Sequence, residues 1–220
     1  PCFNEEEVIE ISMDKISKFI TNKNLDAEVI MVNNASTDST LDTLNNFVSG
    51  NKIVILNQPK KGKGNAIKMG LENAKYNKIL ILDADLSTDI NELKLEWLDL
   101  NETVLFGSRY FGSEINTPKV RKFSGSVLNF MIRLLFKIQI RDTQCGFKFI
   151  STNRKGEIIN KLTVGGFLYD LDLVLASIKI GMSIKEVPVK YIFDANSSVS
   201  LLRDPFIMII DLLKLKIKYK

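Results

Sequence analysis

An α/β domain with a mostly parallel central sheet flanked by helices is the fold class this sequence predicts. Three observations carry that expectation. Short apolar runs alternate with helical stripes over the first half of the chain. Several of those runs break into polar clusters, as strand ends do where a sheet meets a ligand. The length of 220 residues and an apolar content of 45% suit a single domain with a proper core.

Residues 1–6 (PCFNEE) read as the end of a strand entering a helix, so most of a first strand is expected to be missing. Ile9, Met13, Ile16 and Ile20 then form a helical stripe, with Asn4 placed as its N-cap. Residues 28–34 are a buried parallel strand ending in the polar turn 35–40, whose hydroxyls and carboxylate introduce a helix through Leu41, Leu44 and Val48. Residues 52–57 form the next strand, and a Gly- and Lys-rich loop then opens a helix with Ile67, Leu71 and Ala74 on one face. Strands follow at 78–83 and 103–109. Beyond them the pattern is less regular: a helix over 120–138, a strand over 145–150, a helix over 169–180, and an edge strand over 183–193 that holds Pro188. No internal repeat or linker interrupts the chain, which is read as one domain over 1–220.

Composition excludes several chemistries. The sequence has no histidine, which removes Ser-His-Asp and Cys-His catalysis and every His-ligated metal site. Cys2 and Cys145 are too few for a zinc or iron–sulfur cage and form no disulfide framework, so a reducing compartment is expected. Chemistry is left to carboxylates, Arg, Lys, hydroxyls and backbone. A net charge of +4 does not call for nucleic acid, but it suits phosphates or an anionic membrane surface. No apolar run reaches the roughly 18–20 residues of a membrane span. Residues 206–220 are apolar first and basic last. They read either as a membrane-proximal amphipathic helix, covering 205–220, or as a helix packed on the domain with a solvated Lys tail.

Asp83-Ala84-Asp85 is the sharpest chemical feature. Two carboxylates just past a buried strand can hold a hard divalent cation that bridges a diphosphate. Alone, the pattern also describes loop caps and solvated acids. Lys60, Lys61 and Lys63, with Gly62 and Gly64, make a cationic loop at a helix start, where N–H groups and the dipole favour anions. It is not a Walker A loop, and a solvated lysine turn is the plainer alternative.

Segments 1–6 (PCFNEE), 32–38 (VNNASTD), 62–66 (GKGNA), 82–85 (LDAD) and 107–110 (GSRY) occur in an order and spacing that resemble family 2 inverting glycosyltransferases of the GT-A fold. Segment 141–148 (RDTQCGFK) is similar to the corresponding part of dolichyl-phosphate β-glucosyltransferases, with related segments in mannose synthases and polyprenyl-phosphate glycosyltransferases. The resemblance covers nearly the whole chain. It implies that Pro1, Asn4 and Glu5 lie beside the nucleotide, and that Asn33, Asn34, Ser36, Asp38, Lys63, Gly64, Asp83 and Ala84 belong to the nucleotide-sugar site.

The Asn33-Asn34 pair departs from the Asp residues usual in relatives. Either it reads the base through amide donors and acceptors, or Asn34 and Ser36 cap a helix. Capping alone also accounts for Asp38. The resemblance makes Asp85 the main metal ligand, for Mg²⁺ or Mn²⁺, with Asp83 assisting through the metal or the ribose. Ser87 stands where mannose synthases often carry Gln. Arg109, Arg121 and Ser124 match a group that grips the acceptor phosphate, for which the guanidinium fork is suited; Arg121 also reads as a snorkelling helix residue. Asp142 matches a catalytic carboxylate, either a base or a group that orients the acceptor. Asp170 and Asp172 match an acidic helix position, with dipole roles equally open. Residues 196–200 lack the Ser-Lys or Ser-Arg pair of relatives, for which Arg203 is a substitute.

The implied activity is inverting transfer of a hexose from a nucleotide-diphosphate sugar, UDP-glucose as the expected donor, to a dolichyl or polyprenyl phosphate. The implied place is the cytosolic face of a membrane, the endoplasmic reticulum in a eukaryote or the plasma membrane in a prokaryote. Helices around 127–136 and 206–217 are the candidate lipid contacts. Transfer to a glycan hydroxyl and a non-catalytic nucleotide-sugar-binding module are the alternatives.

Overall fold

The computed structural model describes residues 1–47, 52–109, 119–192 and 204–220, without the side chains of 119–126 and 204–206. In chain order the elements are α1 (Ile9–Asn22), β1 (Val29–Asn33), α2 (Thr40–Asn45), β2 (Ile53–Asn57), α3 (Lys63–Asn73), β3 (Lys78–Ile81), β4 (Thr103–Ser108), α4 (Lys119–Phe136), β5 (Lys148–Ser151), α5 (Lys155–Lys161), α6 (Tyr169–Lys179), β6 (Ser183–Pro188) and α7 (Asp204–Lys218). Two 3₁₀ turns, Ile90–Glu92 and Leu95–Asp99, join β3 to β4. The α/β layout and the single domain agree with the sequence expectation.

The strands fall into a parallel pair, β1 with β2, and a four-stranded sheet in the order β3-β5-β4-β6. Within the larger sheet β3, β4 and β6 point one way; β5 runs antiparallel between β3 and β4. That reversal sets Lys148, the first residue of β5, opposite both Ile81 and Phe106. The C-terminal ends of β3, β4 and β6 therefore share one edge with the start of β5, and the polar clusters collect along that edge. β6 is the edge strand and ends at Pro188, whose missing N–H is harmless there.

β1 and β3 are not hydrogen-bonded to each other. A cavity of about 490 Å³ lies between them, with Val29, Met31, Ile67, Leu71, Ile79 and Ile81 in its walls. The expected strand end at the N-terminus is a single parallel bridge: the Cys2 N–H donates to the Val32 carbonyl and the Cys2 carbonyl accepts from Asn34 N–H, both at 2.8 Å. The largest core joins α3, α6, β3, β4 and β5 through Ile67, Ile81, Phe106, Ile150 and Leu171. A second cluster under β1 holds Cys2, Ile9, Met13 and Leu44.

One local expectation is corrected. Asn4 does not cap α1, which begins only at Ile9 after a turn; its backbone is left-handed, with φ of 56°. Its side chain instead ties the first loop to the turn after β1. The seven-residue helix α5 was not anticipated, because a short helix with one buried face leaves too little periodicity to read. Val48 lies outside the described residues.

The start of α3 is the tightest packing at this edge. A Cβ on Gly64 would come within 2.3 Å of the Val164 carbonyl oxygen and 2.7 Å of Tyr169 Cβ. Gly62 has φ of 138° and its Cβ would lie 2.3 Å from the Gly165 carbonyl oxygen. Gly64→Ala is expected to destabilise the domain by about 1–3 kcal/mol through overpacking, read as a lowered midpoint in chemical denaturation; Gly156→Ala, where the added Cβ meets nothing within 4 Å, is the control that stays near wild type.

Candidate functional site

The site is built from three loops that leave the strand ends. The first two, after β1 and β2, are stitched by asparagines. Asn33 donates from Nδ2 to Asn57 Oδ1 at 2.9 Å and accepts from Ser36 N–H at 3.3 Å. Asn34 donates to the Lys60 carbonyl at 3.0 Å and accepts from Gly62 N–H at 2.7 Å. Both residues are almost wholly buried. The Asn34 amide thus holds the Lys60–Gly62 turn against β1, and the Asn33 amide ties the end of β2 to the turn after β1; each uses a donor and an acceptor on one side chain. Asp would supply only acceptors, which gives the departure from the usual residue a structural reason.

Ser36, Asp38 and the first loop form a web around the α2 start. Asn4 Oδ1 accepts from Thr37 N–H at 2.8 Å and Asn4 N–H donates to Ser36 Oγ at 3.1 Å. Asp38 accepts from the N–H groups of Thr40 and Glu6, at 3.0 and 3.3 Å, and Glu6 accepts from Ser39 N–H at 2.8 Å. Burial would push the Asp38 carboxyl up, but these hydrogen bonds hold it below its ordinary value. Glu5 N–H donates to Thr40 Oγ1 at 2.7 Å. Pro1 reaches the cavity between β1 and β3.

The third loop carries Asp83, Ala84 and Asp85. A turn bond from Leu86 N–H to the Asp83 carbonyl folds it, with Leu86 at φ of 49°. Ala84 is buried; Asp83 and Asp85 are half-buried. The two acids have different surroundings. Asp85 accepts from Ser87 N–H at 2.9 Å and from Ser87 Oγ at 2.6 Å. Asp83 is paired with Lys63, Nζ to Oδ1, at 2.6 Å. Burial would raise the Asp83 carboxyl, but the Lys63 ammonium, helped by Lys148, holds it below the usual carboxylate range. Its Oδ2 packs against Gly146, where a Cβ would lie only 2.1 Å away.

Beneath this pair is a second one that sequence reading did not single out. Lys148 and Asp170 are buried and meet at 2.6 Å. The Lys148 ammonium also donates to the Cys145 carbonyl at 2.5 Å and lies 3.3 Å from the Tyr169 hydroxyl. A lysine within the apolar run 145–150 was the available signal, since a buried ammonium requires a carboxylate partner. Asp170 is thereby a structural counter-ion. Asp172 is structural too: it accepts from the N–H groups of Thr163 and Val164, at 2.6 and 2.9 Å, and from Lys218 Nζ and Tyr219 Oη, at 2.8 and 2.9 Å.

At the β4 exit, Arg109 and Asp142 form a bidentate pair. Nε and Nη2 donate to the two carboxylate oxygens at 2.7 and 2.8 Å, and Arg109 N–H adds a bond of 3.1 Å. Asp142 is 0% exposed, and its own N–H donates to Glu186 at 2.8 Å. Both oxygens are occupied by Arg109, so in this structure Asp142 holds that guanidinium in place. The Tyr191 ring lies 5.3 Å from the guanidinium. Tyr191 also belongs to the bridge from Thr88 that closes the Asp85 loop, a role no local pattern signals. The side chains of Arg121 and Ser124, and residues 196–200 and Arg203, lie outside the described residues.

Among the described residues no group of three or more metal-ligating side chains is present. Asp85 nonetheless fits a hard divalent cation. It offers carboxylate oxygens at a strand exit, and Mg²⁺-like ions typically take one or two carboxylates and complete their shell with phosphates and water.

The Lys148–Asp170 pair gives a stability test. Lys148→Met strands Asp170 in the core and is expected to cost about 3–5 kcal/mol. The Lys148→Met/Asp170→Leu double variant is expected to regain most of that loss in urea denaturation. A single variant as stable as wild type contradicts the role given to the pair.

The glycosyl transferase family 2 sequence profile matches residues 1–153, most of the chain. The dolichyl-phosphate beta-glucosyltransferases ALG5A and ALG5C of Trichomonas vaginalis are 29% and 30% identical to it, over 87% and 100% of this chain. The human dolichyl-phosphate beta-glucosyltransferase is 26% identical over 87% of the chain. The chain spans 64%, 70% and 65% of the length of these relatives. Among solved structures, mannosyl-3-phosphoglycerate synthase from Rubrobacter xylanophilus superposes with a TM-score of 0.66 at 14% identity, covering 99% of this chain and 72% of that one. Glucosyl-3-phosphoglycerate synthase from Mycobacterium tuberculosis gives 0.66 at 16%, covering 98% and 76%. These likenesses carry the GT-A fold, and with the profile match they establish that the chain belongs to glycosyl transferase family 2.

Proposed function

We propose that this chain transfers a hexose, with inversion, from a nucleotide-diphosphate sugar to a dolichyl or polyprenyl phosphate. The observation that carries the reading is the half-buried Asp85 carboxylate at the exit of β3, beside the Lys63–Asp83 pair and on the same sheet edge as Arg109. The relatives named as dolichyl-phosphate beta-glucosyltransferases support the acceptor and point to glucose. The Mycobacterium tuberculosis enzyme solved with Mn²⁺ and UDP-glucose supports a UDP donor and a divalent ion, Mg²⁺ or Mn²⁺.

In this reading Asp85 holds the ion and Asp83 faces the ribose. The ion supplies charge neutralisation for the departing diphosphate. Lys63 and the N–H groups at the α3 start border the phosphates. The web of Asn4, Glu5, Ser36 and Asp38 shapes the nucleotide side of the cleft, with Asn33 and Asn34 acting through the loops they hold. Arg109 turns its remaining guanidinium edge to the acceptor phosphate, with Arg121 and Ser124 as further grips. A phosphate oxygen of the acceptor attacks the anomeric carbon as the bond to the nucleoside diphosphate breaks on the opposite side. That oxygen is already anionic, so no base is required, which agrees with the clamped geometry of Asp142. Catalysis then rests on positioning and charge stabilisation.

A lipid acceptor asks for a lipid-facing surface. Among the described residues no helix is long and apolar enough to cross a membrane. However, α4 exposes Phe130 and Leu134, at 59% and 68%, and α7 exposes Ile210, Leu213 and Ile217 beside Lys214 and Lys216. Such helices lie in an interface through apolar area and attraction to anionic lipid. The cytosolic face of a membrane is the corresponding place of action.

Radiolabelled UDP-glucose with Mn²⁺ and a short polyprenyl phosphate is expected to give an organic-extractable glucolipid. Asp85→Ala is expected to lower the rate by at least about a hundredfold. A purely water-soluble or polymeric product overturns the lipid acceptor; turnover undiminished in Asp85→Ala overturns the metal role. In sedimentation with vesicles rich in anionic lipid, the chain is expected to co-pellet. Leu213→Ser/Ile217→Ser is expected to release it, and binding unchanged in that variant removes α7 from the lipid face.

A further inference from the structure

The cation that Asp83 already holds is a lysine of its own chain. We infer that Lys63 is the resident counter-ion of Asp83, and that this pair keeps the free chain from taking up a divalent ion until a nucleoside diphosphate arrives with it. The inference rests on the nucleotide-sugar reading and adds to it an order of binding and a residue that enforces it.

Four observations bear on it. The Lys63–Asp83 contact is short, at 2.6 Å, and its side chains are only 20% and 32% exposed. The second Asp83 oxygen lies against Gly146, so the carboxylate is flanked by backbone on one side and by Lys63 on the other. Below, Lys148 and Asp170 form a pair of their own. Lys63, Lys148 and, farther off, the Pro1 ammonium share the neighbourhood of Asp83, Asp85 and Asp170, and of these three acids Asp85 alone makes no ion pair among the described residues. A dication approaching the free chain meets that one carboxylate with an ammonium beside it, and the like charges repel in a half-buried place where screening is weak.

Lys63 also has a second possible partner. It is the first residue of α3, an eleven-residue helix, whose dipole favours a phosphate at its N-terminal end. A diphosphate supplies both the anion that can draw Lys63 away from Asp83 and the extra oxygens that the ion needs. Nucleotide and metal are thus coupled through one ammonium, and by linkage each tightens the other by the same factor.

The test measures binding and not turnover. Mn²⁺ is titrated into the 220-residue chain by electron paramagnetic resonance of the free ion, and UDP is titrated by calorimetry with and without Mn²⁺. Wild type is expected to bind Mn²⁺ at least about tenfold more tightly with UDP than without it, within the usual range of coupling between sites. Lys63→Met is expected to raise nucleotide-free Mn²⁺ affinity by about tenfold and to shrink the coupling, while Lys63→Arg stays close to wild type. Lys63→Gln carries the same expectation and serves where Lys63→Met does not fold by circular dichroism. Unchanged or weaker nucleotide-free Mn²⁺ binding in folded Lys63→Met or Lys63→Gln overturns the inference. Wild type that binds no UDP at all overturns the nucleotide-sugar reading itself, which is a separate result.

Discussion

Lys148 begins a strand buried along its whole length, and the cost of placing an ammonium there organises the centre of the molecule. Desolvating an unpaired charge is prohibitive, so the fold brings Asp170 from the start of α6 to meet it. Because β5 is antiparallel to both neighbours, that ammonium stands at the edge where β3 and β4 end. The same charge helps keep Asp83 ionised. One core ion pair thus orients β5, anchors α6 and sets the potential under the cleft.

Around that pair the loops are fixed by polar side chains reaching backbone groups. Asn34 holds Gly62, and the next residue is Lys63, which holds Asp83. This short relay links the β1–β2 pair to the four-stranded sheet at a place where no strand joins them. Gly62, Gly64 and Gly146 permit it, since each lies where a Cβ would strike a carbonyl or a carboxylate. Irregular backbone at a strand exit needs such satisfied hydrogen bonds to keep one conformation.

The acceptor side has a different character. Arg109 is held by a buried carboxylate and stacks near Tyr191, so its fork is preorganised before any phosphate arrives. A guanidinium already held in place loses little freedom on binding, which favours positioning over proton transfer as the source of rate. Away from the cleft, Asp172 ties the C-terminal turn of α7 to the loop before α6. Leu212 and Leu215 of α7 are buried while Leu213 and Ile217 are exposed. The same helix thereby belongs to the core on one face and offers an apolar, lysine-rimmed surface on the other.

The sequence by itself determined the alternation of strands and helices, the positions of the polar strand exits and the family, because hydrophobic period and ordered short motifs are local properties that survive without coordinates. It also placed Asp83, Asp85 and Arg109 at strand ends. The pairing of charges was decided only by tertiary structure. Nothing in the spacing of Lys63 and Asp83, Lys148 and Asp170, or Arg109 and Asp142 says that they meet. Each contact depends on strand order, and the antiparallel course of β5 carries no mark in its apolar pattern. For the same reason the sequence leaves Asp142 open between a base and a group that orients the acceptor, and only the fold shows its oxygens held by Arg109: the donors around a carboxylate come from distant parts of the chain.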